Sequence, residues 1–322
     1  MPAEECISLC GKNYQNTEEK MNNRKLRVYS KVDRLPSGDA PGGITEGCLV
    51  LEGGAWKGLY TAGVLDALMA NGINMRTTIG ISAGALFGLG YVSGQIGWAA
   101  RLDLTYRHDP EYCGLGAMKR DHGVTGFSYL YETLLKKYPM NEERLNDPAR
   151  RFLVGATNML TGQITYFEKG HCDLKRAVQA SATVPYISRP VVIGGIPYLD
   201  GGCSEKIPYT WAKENGERKI VVVKTREWAY RKKEGTPMLA KVQYRRYPEF
   251  VKSMDEAGKK FNRMTEELMN RNGDGRVFVM APSETVTVSR FEGDMEKLGD
   301  LYWLGHHDME MKLGELKSFL AG

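Results

Sequence analysis

No stretch of about twenty consecutive apolar residues occurs in the chain, and its beginning carries no apolar run of the kind an export signal needs. Neither a membrane-spanning helix nor export is therefore expected. Cysteine is sparse: of six in 322 residues only Cys6 and Cys10 lie close together, and no nearby His or second Cys pair completes a metal site. Cys48, Cys113, Cys172 and Cys203 stand singly, as reduced thiols of a cytoplasmic protein do. Histidine is sparser still, with five residues, which limits the candidates for an imidazole base. The P-loop order is missing, because Lys57 precedes Gly58 and is followed by no Ser or Thr, and so is the dinucleotide fingerprint G-x-G-x-x-G. A net charge of +5 is too diffuse to argue for nucleic acid.

What is present is ordinary globular composition, 42% hydrophobic and 26% charged, in a chain long enough for one large α/β domain with an appendage. Residues 1–45 are polar and close on Pro36–Gly43, so they read as a tail or linker. From Cys48 onward, strand-like runs (48–51, up to Ile81, 152–156, 164–167, 190–193, 196–199, 220–225) alternate with helical patterns (around 59–70, from Ala83, 129–137, 174–179, 209–213). That alternation predicts a three-layer α/β/α core over 46–235 with a largely parallel central sheet. Beyond residue 236 the pattern becomes mainly helical, with a long helix to about Arg271, a strand in "RVFVMAP" and a terminal helix from about Met295. This reads as an extension packed on the core.

Three features carry chemistry. In "TTIGISAGALFGL", Ser82 falls on the turn between a strand and a helix, flanked by Gly80 and Gly84 at the G-x-S-x-G spacing that presents a serine hydroxyl at a strand end. Before it, "LEGGAWKG" places Gly53 and Gly54 between a strand and a helix start, a loop suited to bind an anion. After it, "YLDGG" delivers Asp200 to a strand-end turn. His108, His122 and His171 sit in loop-like stretches, whereas His306 and His307 lie in a continuous helical pattern and read as helix-surface residues.

The Gly-rich loop, the elbow and the D-G-G motif, in that order, resemble the patatin-like phospholipases, as do "YTAGVLDAL", "VGATNMLTGQITYF" and "ASATVPYISRPVVIGGIPYLDGG". The resemblance runs from about Cys48 to Thr225. It implies a serine acyl hydrolase acting on lipid or other acyl esters, with Ser82 as nucleophile and Asp200 as general base. It further implies an oxyanion hole from the N–H groups of Gly53, Gly54, Ala55 and Ala83, and no cofactor or metal. Glu52 stands where the family often has its first glycine, and Lys57 replaces the usual arginine as a substrate-binding cation. Whether Glu52 pairs with Lys57 or caps the loop stays open. So do two other functions: a lipid-binding protein of this scaffold with little turnover, and a Ser-His-Asp hydrolase using His307.

Between Lys224 and Arg263, twelve Lys/Arg stand against five Asp/Glu, interleaved with aromatics. Such a region suits peripheral contact with an anionic membrane, or equally a solvated helix face with its aromatics in the core. Oligomeric state is not legible.

Overall fold

The computed structural model describes residues 27–235 and 238–322; Cys6 and Cys10 lie outside the described residues. Its strands are β1 (Gly38–Asp39), β2 (Thr45–Leu51), β3 (Met75–Ile81), β4 (Gln95–Ile96), β5 (Arg151–Asn158), β6 (Ile164–Glu168), β7 (Val191–Ile193), β8 (Ile196–Asp200), β9 (Ile220–Val223) and β10 (Val277–Met280). β1 and β4 form a small ribbon. The other eight make one sheet in the order β10-β9-β2-β3-β5-β8-β7, with β6 also on β5. From β10 to β5 every pairing is parallel, while β6, β8 and β7 join antiparallel.

The helices that position the site are α1 (Gly58–Ala70), α2 (Ala83–Val92), α3 (Trp98–Tyr106), α4 (Leu174–Ser181), α5 (Tyr209–Glu214), α6 (Met238–Gln243), α7 (Pro248–Arg271) and α8 (Met295–Ala321). Because successive strand residues point to opposite faces, the central strands divide cleanly between two cores. Leu49, Leu51, Val221, Val223, Phe278 and Met280 pack with residues of α1, α2 and α8. Their neighbours Cys48, Val50, Ile220, Val222, Val277 and Val279 pack on the other face with Tyr209 and Ala212 of α5 and Phe261 and Leu268 of α7. The result is the α/β/α layering.

α1 is buried on nearly every side, which explains why its sequence carries no polar stripe. α8 crosses it so closely that a Cβ on Gly63 would lie 2.0 Å from the Tyr302 carbonyl oxygen, and one on Gly305 2.0 Å from that of Tyr60. Two buried hydrogen bonds flank the crossing, Tyr302 to Asp66 (2.8 Å) and Tyr60 to Asp308 (3.0 Å). Residues beyond 236 therefore supply both a sheet edge, β10, and a helix of the main core. At the other end, the expectation that residues up to 45 carry little core fails for 27–45: Tyr29, Leu35 and Ala40 are buried, and the Tyr29 ring lies against Gly299 of α8. Isolated apolar residues in a polar stretch give no periodic signal, so this docking was invisible in the sequence.

Candidate active site

β3 ends at Ile81 and α2 starts at Ala83, leaving Ser82 alone on the turn with φ 54° and ψ −120°. Such a conformation is strained for a residue with a side chain, and the surroundings must hold it. Backbone contact does so: a Cβ on Gly80 would lie 2.5 Å from the Gly84 carbonyl, and one on Gly84 2.6 Å from the Leu51 oxygen. The elbow glycines are thus required by the approach of α2 to β2 and β3. Ser181, at the end of α4, completes the brace by accepting from the Ser82 N–H (2.8 Å) and donating to the Gly155 carbonyl (2.6 Å).

β5 brings Asp200 to Ser82. Ile81 of β3 is opposite Gly155, and Asp200 of β8 is opposite Ala156, the next residue. Since β6 occupies the other edge of β5 over the same residues, β3 and β8 share one edge and abut with their C-terminal ends facing. The Ser82 Oγ donates to Asp200 Oδ2 at 2.6 Å, and the Gly202 N–H donates to Oδ1 at 2.7 Å. Thr157 Oγ1 donates to the Asp200 carbonyl (2.9 Å), fixing the backbone beneath. Burial pushes the Asp200 carboxyl above the ordinary aspartate range, opposed by the hydrogen bonds from Ser82 and Gly202. A carboxylate raised in this way is a stronger base than a solvated one.

The glycine loop follows β2. Gly53, expected as an oxyanion donor, has its N–H committed to the Lys206 carbonyl (3.0 Å), so that expectation is corrected. Ala55 adopts φ 49°, and Ala83, as the first residue of α2, has no intrahelical acceptor for its N–H. Gly54 packs against Thr225, whose Oγ1 would lie 2.7 Å from a Cβ placed there. Glu52 caps the loop: it is fully buried, accepts from the Thr225 N–H and Oγ1 (2.9 Å each) and lies 3.4 Å from Lys206 Nζ. It ties the loop to the end of β9, and its ion-pair partner is Lys206 rather than Lys57.

Lys57 is buried and lines the cleft beside Ser82. Burial, reinforced by the neighbouring charges of Lys206, Arg226 and Arg290, pushes its pKa down to about 7. The cleft encloses about 430 Å³ and contains both Ser82 and Asp200. A second, smaller hollow opens on the other side of Ser82, lined by Trp56, Leu86, Phe87, Tyr112 and Phe291. Neither His306 nor His307 borders these spaces. His307 is exposed on α8, as expected; His306 is half-buried, packing on Tyr302 and Trp303 and lying 3.6 Å from the exposed Glu310. Among the described residues no group of His, Cys, Asp and Glu side chains converges in a way that could hold a metal ion. Ser181 and Arg290 were missed in the sequence, where each is a polar residue without a motif.

The model of the patatin-like phospholipase family matches residues 49–212, half of the chain, and this segment contains the glycine loop, Ser82 and Asp200. The chain belongs to the patatin-like phospholipase family. A domain of unknown function (DUF6363) matches residues 247–321, so the patatin-like segment is followed by a second recognised unit that includes Arg290. The uncharacterized protein YjjU of Escherichia coli (strain K12) is 30% identical over 182 residues, covering 55% of this chain and 51% of its own length. Lysophospholipase NTE1 of Candida albicans is 24% identical over 227 residues, covering 64% of this chain and 15% of its own. The chain thus spans about half the length of the first relative and a small part of the second. Among solved structures, VipD from Legionella pneumophila aligns over 90% of this chain and 70% of its own at 17% identity, with a TM-score of 0.49.

Proposed function

We propose that this patatin-like chain is a serine acyl hydrolase that cleaves carboxylic esters of lipids, a phospholipid or lysophospholipid among them, through a Ser82–Asp200 dyad. The observation that carries the reading is the 2.6 Å hydrogen bond from Ser82 Oγ to a half-buried, base-strengthened carboxylate, at the junction of a polar cleft and a mainly apolar hollow. Asp200 takes the hydroxyl proton as Oγ attacks the ester carbonyl, then gives it to the departing alkoxide, leaving an acyl-serine. Water, deprotonated by Asp200, attacks this intermediate and releases the fatty acid, and the proton returns to Ser82. The amides of Gly54, Ala55 and Ala83 are the donors for the carbonyl oxygen as it becomes negative, each lowering the barrier by about 3 kcal/mol. The hydrogen-bonded pair argues against a lipid-binding protein without turnover, and the placement of His307 argues against a histidine base.

The family and the lysophospholipase among its relatives support a lipid substrate. For peripheral contact with an anionic membrane, the support lies in α6, where Met238, Leu239 and Val242 are exposed beside Lys241, Arg245 and Arg246. The aromatics of the neighbouring basic stretch turn inward instead, with Tyr244, Phe250 and Phe261 buried. Among the described residues no helix is long and apolar enough to cross a membrane. Reaction with a fluorophosphonate probe, followed by peptide mapping, tests the nucleophile. Labelling confined to Ser82 and lost in Asp200→Asn is expected; labelling of another serine overturns the reading.

A further inference from the structure

The charge of the cleft around Ser82 goes beyond what ester hydrolysis requires. Five cationic side chains line it, Lys57, Lys206, Arg226, Lys232 and Arg290, against a single carboxylate, Asp200. Only Lys206 has a compensating acid, the buried Glu52; among the described residues Lys57, Arg226, Lys232 and Arg290 form no ion pair. Burial lowers the pKa of Lys232 and the charge of Lys206 lowers it further, as for Lys57, so these like charges repel within one space. Two polar atoms of the lining are buried without a hydrogen-bond partner, Arg226 Nε and the Tyr186 hydroxyl. Unpaired cations together with unsatisfied donors describe a site completed by a multiply charged oxyanion.

The second hollow fixes the position of that anion. Ser82 and Arg290 border both spaces, and the second is lined mainly by apolar side chains, with Asp103 and Thr125 also in its wall. With an ester carbonyl at Ser82, the start of an acyl chain would face the hollow of about 90 Å³ and the alcohol portion the cationic cleft. We propose that the alcohol portion carries a phosphate monoester, and that Arg290, supplied by the segment outside the patatin-like match, determines this specificity together with Arg226 and Lys232. A monoacylglycerol phosphate has the required layout, with three carbons between the ester and phosphate oxygens. A phosphocholine head group brings its quaternary ammonium among the same cations, and the Tyr230 ring that could face it is already covered by Arg226 at 4.5 Å.

This assignment rests on the hydrolase reading, and the two fail separately. Binding is measured by calorimetry on Ser82→Ala, which cannot turn over, using a monoacylglycerol 3-phosphate, a lysophosphatidylcholine of the same chain, and glycerol 3-phosphate. The phosphate monoester lipid is expected to bind at least about tenfold tighter than either of the others. Adding Arg290→Gln and Lys232→Gln is expected to remove the preference over lysophosphatidylcholine, and Arg290→Lys to restore it in part. Equal affinity for the two lipids, or a preference that survives the double substitution, overturns the head-group site. Equal affinity for glycerol 3-phosphate overturns its assignment to a lipid. Fluorophosphonate labelling of Ser82 in wild type reports on the nucleophile alone, so a labelled serine with no lipid preference sinks only the head-group site. An unlabelled serine with the preference intact sinks only the hydrolase.

Discussion

Ser82 carries strain, held by the elbow glycines and Ser181, and Asp200 carries a desolvation cost, offset by hydrogen bonds from Ser82 and Gly202. The raised Asp200 pKa sets the sign of one pH effect: the base form is lost on acidification at a higher pH than for an ordinary aspartate, so activity should fall before pH reaches that range. Lys57 sets the opposite limb. Its charge is present below about pH 7 and lost above, so KM for an anionic ester should rise as pH increases through 7. Lys57→Arg, which stays charged, is expected to flatten that rise in a KM–pH profile. Ser82 and Asp200 were readable because each falls at a strand end beside glycine. The commitment of the Gly53 amide was not, because its acceptor, the Lys206 carbonyl, is remote in sequence, in the segment between β8 and α5. The brace by Ser181, 99 residues from Ser82, is illegible for the same reason.

At the level of elements, strong hydrophobic runs gave β2 and β3 with the helices after them, and β5, in nearly their observed places. Short elements such as the β1–β4 ribbon and α6 have no period long enough to register. The antiparallel joining of β8 to β5 was not legible either, although it is what turns two strand ends toward each other. Gly84 tests the elbow packing: a methyl there would sit 2.6 Å from the Leu51 oxygen. Gly84→Ala is expected to cost about 1–3 kcal/mol in a urea titration, with loss of ester turnover as Ser82 is displaced. Unchanged stability would mean that α2 can back away from β2 freely.

Across the described residues, the patatin-like segment and residues 238–322 share both cores. A chain ending at residue 235 would lose β10 and uncover α1, and should show no cooperative thermal transition; a sharp transition would show that the first 235 residues are self-sufficient. The α1–α8 crossing also makes stability depend on pH. Burial raises Asp66 to about 7, against hydrogen bonds from Gly97 and Tyr302. A folded-state pKa above the unfolded one means that the native state binds more protons between about pH 4 and 7, so this group's contribution is highest in acid and falls as pH rises through that window. The Tm advantage of wild type over Asp66→Asn should therefore shrink from pH 4 to pH 7, and a gap that widens would contradict the assignment.

The dyad itself is tested most directly by single-turnover acylation with a short-chain p-nitrophenyl ester, comparing Asp200→Asn with a His306→Gln, His307→Gln double variant. Asp200→Asn keeps the size of the side chain but removes the proton acceptor 2.6 Å from Ser82 Oγ, so acylation should fall by about two orders of magnitude or more. The double-histidine variant should acylate within a few-fold of wild type. Acylation that survives Asp200→Asn and disappears from a folded double-histidine variant would contradict a Ser82–Asp200 mechanism and transfer the role of base to α8.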